Sequence, residues 1–300
     1  MKIPSTLSRI NAEPLYSYWS KSTWFLWVIF PVILLQFVFV FSWLFADQFD
    51  QSSYTALQKD VFIVFNDYLS GLPPSLWLNM TYIGDGVVIF ALFSFMLLIR
   101  AQAWAAMFAS ILVASVITNV GKAFFLMPRP AVVLDHDSFH IVGDVLIGYS
   151  SFPSGHSITI SFVLIAILAT LFGCPETLKQ KISLLIGLVI LALFCISRVA
   201  VGAHWPLDIV AGASLGWLSA LIGVSLARQY TRWWQCMLSG KRRFVLAGLL
   251  LLLSIVLFAR VFDEFSVAPI LLLASVISSY VSFVLFKFPA GFVKKRSLKV

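Results

Sequence analysis

The chain has 300 residues, of which 60% are hydrophobic and 11% charged, with a mean hydropathy of +0.96. A soluble domain is typically about half apolar and about a quarter charged, so a soluble globular enzyme is excluded and an integral membrane protein is expected. The net charge of +8 sorts into alternate loops, as described below, which accounts for it without nucleic acid as a partner.

The apolar runs are continuous and near 20 residues, about the length of a helix across a bilayer, and lack the alternation of barrel strands. Residues 1–23 form a polar lead with Lys2, Arg9 and Lys21. The run after it is too long for a cleavable signal segment, so it is expected to remain as the first span, 24–45. Residues 47–74 are mildly acidic, and Tyr54, Leu57, Val61, Phe65 and Leu69 recur at helical spacing before Pro73-Pro74. That pattern predicts an amphipathic helix on the membrane or packed over the bundle.

A second span is predicted over 77–98, with Asp85 in its outer half, and Arg100 marks a tight turn into a third, 103–120. A polar excursion from Gly121 to His156 follows. The remaining spans fall at 157–172, 182–196, 206–226, 244–262 and 267–286. The fold class is therefore an all-α polytopic bundle of about eight transmembrane helices. Residues 24–226 form a six-helix core, with 47–74 as its outer loop. Residues 227–300 add a basic loop, two spans and a basic tail.

Charge sorts between the two faces. Basic residues occupy the N-terminus, Arg100, the Glu176–Lys181 loop, the Arg228–Arg243 loop and the tail from Lys287. The positive-inside rule makes that face, with both termini, cytoplasmic. The opposite face receives the acidic first loop, the excursion, the Ser197–Asp208 turn, Asp263-Glu264 and all four histidines.

Four helix ends carrying reactive side chains are expected to meet there. Lys122 ends the third span, Ser154-Gly155-His156 opens the fourth, Arg198 closes the fifth, and His204 to Asp208 opens the sixth. Transfer of a phosphate needs charge neutralisation and a positioned nucleophile. Lys122, Arg129 and Arg198 supply cations, the arginines as bidentate forks. Ser154 and Gly155 start a helix, where free N–H groups favour an anion. Pro206 suits a first helical position, which sets Asp208 one turn in, able to hold one imidazole nitrogen of His204 and leave the other to attack phosphorus. His156 is placed to protonate the leaving oxygen. Singly, each has a blander reading as an interfacial anchor or as loop punctuation.

The combined pattern, Lys122-x6-Arg129-Pro130, then Pro153-Ser154-Gly155-His156, then Ser197-Arg198-x5-His204-x3-Asp208, resembles the tripartite signature of the type 2 phosphatidic acid phosphatase (PAP2) superfamily. Every signature position is present and in order. The resemblance covers about residues 77–226 and leaves the last two spans outside. It implies a metal-independent lipid phosphatase without cofactor. His204 would form a phosphohistidine, Asp208 would orient it and His156 would serve as acid. Lys122, Arg129, Ser154, Gly155 and Arg198 would cradle the phosphate. Implied substrates are undecaprenyl diphosphate, phosphatidylglycerophosphate, phosphatidic acid or lipid A phosphates, met at the outer face of a bacterial inner membrane. Transfer of phosphate to another lipid is the alternative, and transport the competing class. The site's position at helix ends argues against transport, whose sites lie near the midplane.

Other features stay outside this reading. His136 and His140 are spaced for a metal, but no wider ligand pattern accompanies them. Cys174, Cys195 and Cys236 lack metal or disulfide spacing and read as packing residues. Asp85 and Asn119 read as partners for neighbouring helices. Asn79-Met80-Thr81 matches a glycosylation sequon too close to a span for ready modification.

Overall fold

The computed structural model describes residues 21–45, 50–173, 175, 177–238 and 240–287. Expectations for the first 20 residues, Cys174, Glu176 and the tail beyond Lys287 lie outside the described residues. Regular structure among them is entirely helical. The main helices are α1 (Lys21–Phe45), α2 (Gln51–Ser70), α3 (Pro74–Ile83), α4 (Gly86–Ile99) and α5 (Ala101–Phe125). They continue with α6 (Gly155–Phe172), α7 (Leu178–Ala200), α8 (Pro206–Gln229), α9 (Arg242–Asp263) and α10 (Ala268–Lys287). Seven are long and apolar enough to cross a bilayer, or eight crossings if α3 and α4 together make one. The chain is a multi-pass membrane protein.

Helix α8 is the hub, packed by α6, α5, α7 and α1. Its glycines explain how closely it is approached. A Cβ on Gly212 would lie 2.6 Å from the Ser154 carbonyl oxygen, one on Gly216 would lie 2.3 Å from that of Ile158, and one on Gly223 would lie 2.0 Å from Ser110 Oγ. Backbones therefore touch at three levels, the packing mode that small residues allow between membrane helices. On another side of α8, Trp27 of α1 donates its indole N–H to the Gly173 carbonyl at 3.1 Å and packs on Trp217.

The second predicted span is not one helix. Helices α3 and α4 meet at a bend of 78°. The Asp85 carboxylate accepts hydrogen bonds from the Val87 and Val88 backbone N–H groups at 2.8 and 3.1 Å. It thereby caps α4 and ends the run that hydropathy alone makes continuous. Asp85 thus serves its own helix, and Asn119 likewise donates to Ser115 within α5. Asp85 also faces a neighbouring helix, its Oδ2 lying 4.0 Å from Arg260 Nη1 of α9.

Helix α2 buries a face that only partly overlaps the one its apolar periodicity marks, with Tyr54 buried and Leu57 and Leu69 partly so. Tyr54, Thr55, Gln58, Phe62 and Asn66 are buried, whereas Val61 and Phe65 are exposed. The buried polar groups have partners in the bundle. Gln58 Oε1 accepts from the Leu207 N–H at 2.7 Å. Asn66 donates to the Val199 and His140 carbonyls at 2.9 and 3.0 Å and accepts from the His140 N–H at 2.6 Å. Phe62 packs edge-on against Trp205. Polar matching rotates the inward face, so Val61 and Phe65 turn outward while Tyr54 and Phe62 stay inside.

The C-terminal pair α9–α10 is joined by serines. Ser254 and Ser275 exchange hydroxyl-to-carbonyl bonds of 2.9 and 3.0 Å, Ser278 donates to Leu250 and Ser282 to Ala247. The pair packs its apolar side on α4, through Leu257, Leu271 and Ala274 against Val88, Ala91 and Leu92.

Candidate active site

Four helix ends converge at one end of the bundle. Ser154 is the N-cap of α6, fully buried, its hydroxyl accepting from the Ser157 N–H. Gly155 follows, and a Cβ there would lie 3.6 Å from Lys122 Nζ. The Lys122 ammonium therefore sits over the start of α6, where the helix dipole and free N–H groups already favour negative charge. The Ser154 N–H donates to the Asp208 carbonyl at 3.1 Å, which ties the start of α6 to the first turn of α8.

The excursion after α5 closes back on itself. The Ser151 N–H donates to Met127 and the Arg129 N–H to Gly148, both at 3.0 Å. This brings the Arg129 guanidinium against the turn between α7 and α8. Its Nη1 donates to the Ala203 carbonyl at 3.0 Å and lies 3.4 Å from His204 Nε2. Arg198, in the last turn of α7, is 4% exposed and donates from Nη1 to the Thr81 hydroxyl of α3. Gly202, with φ +77°, closes the turn, because a side chain there would strike the His140 carbonyl.

His204 and Asp208 are buried, and their contact is looser than direct pairing. His204 Nδ1 lies 3.4 Å from Asp208 Oδ2. Ser151 stands beside both, donating to Asp208 Oδ2 at 2.6 Å and lying 3.4 Å from His204 Nδ1. The same carboxylate oxygen accepts the Trp205 N–H at 3.0 Å, and the other oxygen accepts the Tyr54 hydroxyl at 2.7 Å. With its proton on Nδ1 facing this group, the ring presents the Nε2 lone pair toward the cations. Burial first, then the charges of Arg129, Arg198 and Lys122, hold the His204 imidazole well below the usual histidine range. Its neutral, nucleophilic form therefore persists at neutral pH.

His156 is the second residue of α6 and borders two openings, one shared with Arg198 and one with Gly155 and Thr118. Among the described residues its ring makes no hydrogen bond. It fits closely beneath the α3–α4 bend, since a Cβ on Gly84 would lie 3.0 Å from His156 Cβ. All eight residues singled out from sequence thus gather at one place, three cations and a helix start around a neutral imidazole.

Tyr54, Ser151, Thr81 and Gly84 were not foreseen. Ser151 had a usable signal, lying three residues before Ser154. Gly84 did too, in the run Gly84-Asp85-Gly86. His136 Nε2 lies 3.0 Å from its own loop's Ala131 carbonyl, and His140 Nε2 lies 3.3 Å from Asp67, so the two rings turn to different partners.

Residues 103–234 match the model of the PAP2 superfamily. Among similar curated proteins, an undecaprenyl-diphosphatase of Sulfolobus acidocaldarius is 39% identical over 72 residues, 24% of this chain and 31% of that protein. A lipid A 1-phosphatase of Rhizobium etli is 30% identical over 128 residues, 41% of this chain and 50% of that protein. The chain thus spans between about a third and a half of the length of these relatives. The crystal structure of Aquifex aeolicus LpxE superposes with a TM-score of 0.47 at 25% identity, covering 56% of this chain and 95% of that one.

Proposed function

We propose that the protein is a lipid phosphatase that removes a terminal phosphate from a membrane lipid through a phosphohistidine. Support comes from one observation above all: His204 Nε2 faces Arg129 at 3.4 Å, with Lys122 over the start of α6 and with Arg198 and His156 lining one cavity with Ala203. The phosphate oxygens would lie against Lys122, Arg129, Arg198 and the backbone N–H groups after Ser154. Nε2 of His204 attacks phosphorus, the bond from phosphorus to the lipid oxygen breaks, and His156 gives its proton to that oxygen. His156 then takes a proton from water as the water oxygen attacks phosphorus. The P–N bond breaks, and phosphate leaves with both residues restored. Asp208, held by Tyr54 and Ser151, keeps the His204 proton on Nδ1 throughout.

The catalytic unit in this reading is residues 24–226, with 227–300 as an accessory pair of spans. The loops at the opposite end carry Arg228, Arg232, Lys241, Arg242 and Arg243, so that end is cytoplasmic and the site faces outward. Both termini are cytoplasmic when the bent pair α3–α4 counts as one crossing.

The test is phosphate release by purified protein against a panel of lipid phosphates and diphosphates in detergent, without an added acceptor lipid. His204→Ala should abolish release while the protein stays folded by size-exclusion profile and unfolding midpoint. Near-wild-type turnover in that variant would refute the mechanism.

A further inference from the structure

We infer that the C-terminal helix pair builds a headgroup subsite beside the phosphate site, selecting a lipid whose phosphate sits on a hydroxyl- or amine-bearing headgroup, such as a sugar, over one bearing a diphosphate. This rests on the lipid phosphatase reading.

The observation is a cavity of about 540 Å³ that opens from the site. At its inner end are His156 and Arg198. Arg198 is 4% exposed, and its Nε has no hydrogen-bond partner. A buried guanidinium with a donor left over, bordering an open space, marks where a ligand acceptor belongs. The outer wall comes from segments far apart in sequence. Asp85 stands at the α3–α4 bend, Asp144 in the excursion, and Arg260, Asp263 and Glu264 at the end of α9. The last three lie beyond the matched 103–234 domain. The C-terminal pair is therefore a wall of the cavity as well as a packing partner of the bundle.

The charge of that wall decides what it accepts. Arg260 is already engaged, donating from Nε to Glu264 Oε1 at 2.9 Å, with Nη1 4.0 Å from Asp85 Oδ2. Four carboxylates thus share this lining with one guanidinium that already has two anionic neighbours. Such a surface accepts hydrogen bonds from hydroxyl or ammonium donors and repels a second phosphate, giving selectivity by repulsion as well as attraction. In the proposed reaction the leaving oxygen is protonated at His156, which lines this cavity, so the group attached to that oxygen can enter it. A smaller groove of about 270 Å³ also reaches His156 and Asp85, with Ile111, Ile158 and Phe162 on its lining beside Ser115, Thr118 and Asn119. Its apolar side chains offer hydrocarbon a second exit, while the polar headgroup takes the larger cavity.

The experiment compares three probes in detergent: an alkyl-linked glucosamine 1-phosphate lipid, dilauroyl phosphatidic acid and farnesyl diphosphate. Turnover by the wild type is measured against Asp263→Asn and an Asp263→Asn/Glu264→Gln double variant. The wild type should have its highest kcat/KM on the amino-sugar phosphate. Losing hydrogen bonds to charged groups should shift the ratio of amino-sugar phosphate to diphosphate by about tenfold or more in the double variant, mostly through KM. Wild-type preference for the diphosphate, or a ratio that neither variant moves, would overturn the inference. Binding of non-hydrolysable phosphonate analogues of the amino-sugar and diphosphate probes is measured alongside. If the wild type releases phosphate from none of the probes, the phosphatase reading fails, and the binding ratio still decides the subsite. A wild-type preference for the amino-sugar analogue that the double variant loses supports it; equal affinities in both proteins overturn it.

Discussion

Tyr54→Phe removes one oxygen and keeps the ring. In the native protein that hydroxyl donates to Asp208 Oδ1 at 2.7 Å, with both residues 0% exposed. Burial and then the Asp208 charge push the phenol well above its ordinary pKa, so it remains a donor over the whole working range. The phenylalanine ring would still pack edge-on against Phe152 at 5.9 Å, so the loss is the hydrogen bond with little cavity. A bond to a charged group contributes about 1.5–3 kcal/mol. In rate this corresponds to roughly 10- to 150-fold if the whole bond serves the transition state. Asp208 keeps its bonds from Ser151 and the Trp205 N–H, so the lower end applies: about a tenfold fall in kcat with a lower unfolding midpoint. Initial rates of phosphate release in detergent and intrinsic-fluorescence melting measure the two effects. A cycle with Ser151→Ala separates positioning from plain stability, because two donors on one carboxylate should couple in kcat. A Tyr54→Phe rate within about twofold of wild type and an unchanged midpoint would refute the account of how Asp208 is held.

Three further outcomes are expected. Gly84→Ala places a methyl 3.0 and 3.1 Å from two His156 atoms and should lower kcat. Gly86→Ala, whose Cβ meets nothing within 4 Å, should not, and equal effects would discount the bend as a support for His156. The nucleophile must be neutral, and its pKa is depressed, so the acid limb of kcat/KM should fall below the ordinary histidine value of 6.5. For the same reason His204 favours unfolding as pH drops through 6.5, since the unfolded ring takes up the proton first. An acid limb at 6.5 or above would contradict that environment. With the native cysteines replaced, a cysteine at position 137 should react with an impermeant maleimide on intact cells, and reaction only after the membrane is opened would reverse the proposed orientation.

Much of the site was legible because its chemistry is local. Lys122, Ser154, Arg198 and His204 each sit at the edge of an apolar run, and helix length alone puts those edges at one depth. The supports of the site were not legible in the same way. Tyr54 reaches Asp208 across 154 positions, and no local pattern encodes that contact. The inward face of α2 was legible only in part: Tyr54, Leu57 and Leu69 turn inward, but Val61 and Phe65 do not. Beside a bilayer an apolar residue is at home on either side, so the polar Gln58 and Asn66 mark the inside more sharply. The α3–α4 bend was hidden by averaged hydropathy, although an aspartate between two glycines ahead of an apolar run is an N-cap signal.

The glycine-lined contacts of α8 divide the molecule into a part that cannot change and a part that can. A helix gripped backbone to backbone by α5 and α6 tolerates neither rotation nor sliding, and the His204–Asp208 end moves only if all three helices move together. The wall facing it hangs on serines and on apolar packing against α4, where new side chains are easily accommodated. Descendants of such a design can exchange the groups that recognise a lipid while inheriting the machinery that cleaves it untouched.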